Sequence, residues 1–255
     1  MSWNLKRQLV IFLIVIGIFV VASFFIFDFK SEATCFDGKK NGDEAGIDCG
    51  GSCVLACSSE AKSLIVRFAR PFEAAPGVYN AVAAVENPND KEGVFEIGYE
   101  FRLYDDQDIL VAERTGKTFI PANQKIIILE PNLITNTRIA TKAAFRFLGF
   151  PQWVKIDPRF INLGLKVENE KIEAGQTPKI SATLRNDSSY DLTNVTVAVL
   201  VYDKENNVIT ASQTIVPSIT RREAAPILWS WNKSFEREVV RIEILPKVDV
   251  FNLGS

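Results

Sequence analysis

Between Leu9 and Phe27 the chain reads LVIFLIVIGIFVVASFFIF, nineteen residues without a charge. As a helix rising 1.5 Å per residue this run reaches about 28 Å, close to the roughly 30 Å hydrocarbon thickness of a bilayer. Its only soft positions are Gly17 and Ser23, so it has no polar face to turn to water, which argues against a buried helix of a soluble core. A secretory leader would have a shorter apolar region and a small-x-small cleavage site; the nearest candidate, Val20-Val21-Ala22, is followed by bulky aromatics. Lys6 and Arg7 precede the run, whereas Asp28, Lys30 and Glu32 follow it. The positive-inside rule then predicts a short cytoplasmic tail over 1–8, a transmembrane signal anchor over 9–27, and the remaining bulk of the chain on the extracytoplasmic side of the cell membrane.

That placement decides how the cysteines are read. All four, Cys35, Cys49, Cys53 and Cys57, fall in the segment 28–58. In an oxidising compartment a short, loop-rich stretch with four cysteines is expected to carry two disulfides, and spacing alone leaves all three pairings open. The local apolar side chains, mainly Phe36, Ile47, Val54 and Leu55, are too few to form a core unaided. Zinc knuckles use two-residue intervals where this chain has three, and a C-x-x-C redox pair is absent from the sequence. Counted from Asp37, the residues Asp37, Asn41, Asp43 and Asp48 fall on ligand positions of a calcium loop, but Lys39 stands where an oxygen ligand belongs. Turn-forming side chains in a disulfide knot are the leading reading, and weak calcium binding is the second. The pattern C-x-D-G-x-x-N-G-x-E-x-G-x-D-C-G-G-x-C-x-x-x-C over 35–57 resembles a short cysteine-rich module of extracytoplasmic proteins, found beside membrane anchors or between β-domains. The resemblance implies location and architecture, not an activity.

Beyond Ser58, runs rich in β-branched and aromatic residues predict strands at 64–68, 79–86, 95–104, 109–113 and 125–129, with turns at 87–90, 105–108 and 121–123. The stretch 137–148 fits helix or strand equally. The pattern then returns: 81–121 aligns with 180–217, setting Asn87 on Asn186, Tyr104-Asp105 on Tyr202-Asp203, Ile109 on Val208 and Pro121 on Pro217. A period of about 98 residues predicts tandem copies of an immunoglobulin- or fibronectin-like β-sandwich, over 60–150 and 158–250, joined around 149–160. The fold class expected is mainly β, with one N-terminal transmembrane helix and a small disulfide-rich segment.

The pentapeptide Phe101-Arg102-Leu103-Tyr104-Asp105 is a full match to the motif that names the FxLYD family of extracytoplasmic β-sandwich domains, which this region resembles. The second copy, 199–203, keeps Tyr202 and Asp203 but has Val199 and Val201 in place of Phe and Leu. The resemblance implies a tandem of such domains. The residues themselves suggest a structural device: Phe101 and Leu103 share one strand face, Tyr104 closes the strand, and Asp105 starts the turn.

The chain has no histidine, which removes Ser-His-Asp, Cys-His and most zinc schemes of catalysis. A net charge of −2 provides no basic field for nucleic acid. Asp105 with Asp106 or Asp108 could form a glycosidase carboxylate pair, but a solvated hairpin turn accounts for them. Trp229 and Trp231 alternate onto one strand face, which reads first as core packing and second as an exposed binding patch, and Asn186, Asn194 and Asn232 head acceptor sequons. The function expected is a membrane-anchored, non-enzymatic envelope protein without a cofactor, presenting two sandwiches to a protein or polysaccharide. An accessory subunit of a membrane complex is the alternative, and a carbohydrate-active enzyme is a lesser one.

Overall fold

A computed structural model describes residues 3–28 and 34–253, and the chain forms two compact units, Met1–Cys53 and Val54–Ser255. In the first unit the apolar run lies within a single helix, α1 (Trp3–Asp28), of 26 residues. It contains no proline and one glycine, so nothing interrupts its hydrogen-bond ladder. The side chains at 4–6, 9, 22 and 24–28 lie outside the described residues, and among the remainder no helix is long and apolar enough to cross a membrane. Residues 1–2 of the expected tail and 29–33 of the expected cysteine-rich segment also lie outside the described residues.

From Thr34 the first unit is held by turns and a covalent staple. Cys35 and Cys53 are joined across a sequence separation of 18, with Cα atoms 5.6 Å apart. Cys49 and Cys57 are also disulfide-bonded, and no cysteine is free. Two disulfides thus stand in for a core, and one of the three conceivable connectivities is selected. The paired glycines of the motif are steric necessities. Both have positive φ; a Cβ on Gly50 would run into Ala45, and one on Gly51 into the Asp43 carbonyl.

The second unit contains thirteen strands and is built by repetition. The first copy comprises β1 (Ile65–Ala75), β2 (Val78–Asn87), β3 (Glu92–Tyr104), β4 (Leu110–Ile120), β5 (Gln124–Ile134), β6 (Lys142–Leu148) and the short β7 (Trp153–Lys155). One sheet has the order β1-β2-β5; the other is β4-β3-β6, with β7 also paired to β3. After a single-turn helix, α2 (Pro158–Ile161), the second copy comprises β8 (Leu165–Glu173), β9 (Lys179–Asn186), β10 (Leu192–Tyr202), β11 (Val208–Ile219), β12 (Ala224–Ser230) and β13 (Arg241–Lys247). Its sheets, β12-β9-β8 and β11-β10-β13, repeat the order of the first copy strand for strand. The ambiguous stretch 137–148 resolves as a turn followed by strand β6 over 142–148. Strand β1 runs on through Pro71, past the end expected from sequence; it is an edge strand, where the missing N–H need not serve a neighbour.

Each copy has its own core. Tyr79, Ala81, Ala83 and Val85 of β2 meet Tyr99, Phe101 and Leu103 of β3 in the first, while Ile180 and Leu184 meet Val197, Val199 and Val201 in the second. A third cluster joins the copies. Val82, Ala84 and Ile127, on the outer face of β1-β2-β5, pack against Ala198, Leu200 and Ala211, on the outer face of β11-β10-β13. The four sheets therefore form stacked layers, and β2 and β10 are buried on both faces. At one margin Lys125 donates to both carboxylate oxygens of Glu243 (2.9 and 2.7 Å), which also accepts from the Tyr202 hydroxyl at 2.6 Å. The tandem expected from sequence is thus more than two independent modules on a linker: removing either copy would strip an apolar face from the other.

Candidate functional site

The repeated motif positions two equivalent aspartates. Phe101 and Leu103 are fully buried, and Asp105 is 5% exposed at the entry to the β3–β4 turn. Its Oδ1 accepts from the backbone N–H groups of Gln107 (3.0 Å) and Ile109 (2.9 Å), and its Oδ2 from the Arg138 guanidinium. Asp203 repeats this with Glu205 (3.0 Å), Asn207 (2.8 Å) and Arg237 (2.6 Å). Tyr104 is half-buried, whereas its counterpart Tyr202 is buried in the joint between the copies. Each aspartate thus ties the start of one hairpin to the segment leading into β6 or its counterpart β13. The partner arginines were missed in sequence; their signal was an arginine in the same place in both copies, 33 and 34 residues downstream of the aspartate.

These contacts set the acid response. The Ile109 N–H leads the influences holding Asp105 below the usual carboxylate range, opposed by burial and aided by Arg138 and Gln107. At Asp203 burial is the largest influence and pushes the carboxyl up, but the Asn207 amides and Arg237 together outweigh it and hold it at about 2. A carboxylate lowered on folding contributes its stability in full above its unfolded value of about 4, and that contribution is lost as pH falls through the folded value. Chemical-denaturation midpoints are accordingly expected to drop between about pH 4 and about pH 2. Asp203→Asn should lower the neutral-pH midpoint and flatten that part of the profile. A variant profile parallel to wild type would show that the latch contributes nothing.

Of the other sequence candidates, Asp108 pairs with Lys142 at 2.6 Å and Asp106 is exposed. In the cysteine-rich segment Asp48 accepts from the N–H groups of Asp37 (3.0 Å) and Gly38, while Asp37 accepts from the Lys39 N–H (2.9 Å) and the Asn41 amide (2.7 Å). Asp43 accepts from the Ser52 hydroxyl at 2.8 Å. Of the four residues read as a second-choice calcium loop, the three aspartates thus face N–H and O–H donors, and their oxygens brace turns, whereas the Asn41 side chain donates to Asp37 and its Oδ1 is buried without a hydrogen-bond partner. Among the described residues the one grouping of three metal-ligating side chains is Cys35, Glu44 and Cys53, and its two sulfurs are the halves of a disulfide.

A cleft of about 650 Å³ opens where the copies part, beside the edge strands β1 and β11. Trp229 is inside the second core, 2% exposed, with its Nε1 donating to the Val197 carbonyl at 3.3 Å. Trp231, two residues on, lines the cleft. Its Nε1 donates to Thr210 Oγ1 at 3.1 Å, and Phe235 meets it edge-on with ring centres 5.1 Å apart. Lys233 donates to Glu73 of the first copy (3.1 Å) and to Glu236 (3.4 Å), closing one end. Its walls come from segments as far as 160 residues apart, so sequence reasoning marked only Trp231, as a lesser binding-patch reading, and Asn232, as a sequon, without bringing them together.

No family model matches the chain, and no curated protein sequence matches it. Among solved structures it is similar to part of a red sea bream transglutaminase, at 10% identity over 78% of this chain and 30% of that one, with a TM-score of 0.25. It is also similar to part of a β-glucuronidase from glycoside hydrolase family 2, at 8% identity over 66% and 24%, TM-score 0.22. A third likeness is to the N-terminal tandem CBM22 domain of Xyn10C from Paenibacillus barcinonensis, at 10% identity over 74% and 91%, TM-score 0.16. The chain spans less than a third of the first two.

Proposed function

We propose that the protein is a membrane-anchored, extracytoplasmic, non-enzymatic display protein: helix α1 holds it in the bilayer and the paired sandwiches present a binding surface to a protein or polysaccharide of the cell envelope. The observation that carries this reading is the order of parts, an uncharged run over 9–27 followed by a coreless segment with both of its disulfides formed. Disulfides persist in oxidising spaces, and the charges flanking the run favour an orientation with its carboxyl side there. The absence of histidine and the full engagement of Asp105 and Asp203 as turn braces favour binding over catalysis.

Two measurements test it. Protease added to cells with permeable outer layers should degrade residues beyond 30 and spare the amino terminus. Maleimide labelling of denatured, unreduced protein should modify none of the four cysteines. A protected carboxyl-terminal region, or four labelled thiols, would overturn the reading.

A further inference from the structure

From the cleft between the two copies, we infer that the protein binds a neutral oligosaccharide, with Trp231 as the stacking platform. This deepens the display reading above and rests on it. The volume, about 650 Å³, falls within the range of small-molecule and cofactor sites. The chemistry of the walls narrows the class. Charges in the cleft are largely spent on one another: Lys233 on Glu73 and Glu236, and Arg237 on Asp203. An ammonium group or a metal ion would have to displace those partners from the carboxylates, and a polyanion would find mainly Arg70, whose Nη1 already donates to the Val208 carbonyl at 3.4 Å.

What remains is uncharged hydrogen-bonding capacity beside a pinned aromatic pair. Asn80, Ser212 and Asn232 line the walls with amides and a hydroxyl. Trp231 is half-buried and held by Thr210 and Phe235, so little side-chain freedom is left to lose on binding. A pyranose ring matches this pair of features, with an apolar C–H face for the indole and a rim of hydroxyls for amides and hydroxyls. An extended peptide would need a series of apolar subsites for alternate side chains, and the lining of the cleft is more polar than apolar.

The test is isothermal titration calorimetry on the full chain in detergent, with cellohexaose and chitohexaose as neutral probes, hexagalacturonate as an acidic probe, and an unstructured decapeptide pool. Saturable binding of at least one neutral hexasaccharide is expected, weakened tenfold or more by Asn232→Ala and abolished by Ser212→Trp, which fills the cleft. Asn232 is exposed, so the first variant keeps the fold; circular dichroism checks the second. Trp231→Phe should retain part of the affinity and Trp231→Ala none. Absence of neutral-sugar binding, binding confined to the acidic probe or the peptides, or binding indifferent to both Asn232→Ala and Ser212→Trp would refute the inference. Topology is read separately by protease. Sugar binding with the opposite topology would sink the display reading and leave the cleft, whereas correct topology without sugar binding would sink the cleft alone.

Discussion

Replacing Leu200 by arginine is expected to part the two sandwiches. Leu200 is fully buried in the cluster that joins the copies, with Val82, Ala84 and Ile127 on the facing sheet. The carboxylate nearest a guanidinium there is Glu243, its cross-strand neighbour in β13, which is already engaged by Lys125 and the Tyr202 hydroxyl; a buried charge left without a partner of its own costs about 3–5 kcal/mol unless the faces separate to admit water. The repeat supplies its own control. The equivalent position in the first copy is Arg102, half-buried on the outer face of β4-β3-β6, where it lies 3.0 Å from Glu100. Arg102→Leu should change stability little by comparison. In urea titrations of the full chain in detergent, wild type is expected to lose both copies in one transition. Leu200→Arg should show a lower midpoint, and protease should then cut within 156–164 to release two fragments. An unchanged midpoint with an intact linker would mean that the third cluster contributes no cohesion.

Asn186 is expected to be the second costly position, although its surroundings in sequence mark it as a glycan acceptor. It is fully buried, and its Nδ2 donates to the carbonyls of Tyr190 (2.8 Å), Ile219 (3.2 Å) and Thr220 (3.3 Å). Its Oδ1 accepts from Ser188 twice, from the N–H at 3.0 Å and the hydroxyl at 2.6 Å. One amide thus fixes the β9–β10 turn to the end of β11. Asn87 does the same in the first copy through the carbonyls of Glu92 (2.8 Å) and Pro121 (2.9 Å). Asn186→Ala leaves several buried groups unpaired at about 1–3 kcal/mol each, so a loss of about 3–5 kcal/mol is expected from denaturation midpoints. Asn232→Ala, at an exposed sequon whose backbone is not in the left-handed region, should stay within about 0.5 kcal/mol. Equal effects at the two sites would refute the bracing role. For the same reason Asn186 cannot accept a glycan in the folded chain, while Asn194 and Asn232 remain exposed.

Much of this architecture was legible because its causes are local. Alternation in Phe101 and Leu103 pointed to the inner face of β3, and the recurrence of Asn87 and Tyr104-Asp105 at Asn186 and Tyr202-Asp203 disclosed a duplication whose shared job is to brace turns. Pairing of the copies was harder to see, since no local rule dictates which faces meet. A trace was nevertheless present. A sandwich strand with one wet face alternates, yet Ala81–Val85 and Val197–Val201 are apolar at every position, the pattern of strands covered on both sides. The cleft left no such trace, because Phe72 of β1 and Trp231 after β12 become neighbours of one cavity only once the copies are packed.

The joint buries unlike surfaces: the β1-β2-β5 face of one copy against the β11-β10-β13 face of the next. Such a head-to-tail step has no built-in end; repeated on further copies or neighbouring molecules, it would grow a column. Its termini are closed by chemistry. Where the second copy offers Ala198 opposite Leu245, the first has Glu100 opposite Arg146, ion-paired at 2.7 Å, with the exposed arginine covering the buried carboxylate. At the far end, Ser181 and Thr183 stand in β9 where β2 has Val82 and Ala84. These polar faces act as the terminal caps of a two-step solenoid. A few side chains therefore keep these two outer faces from continuing the stack, and exchanging them for their apolar counterparts is expected to let the pair associate with further copies.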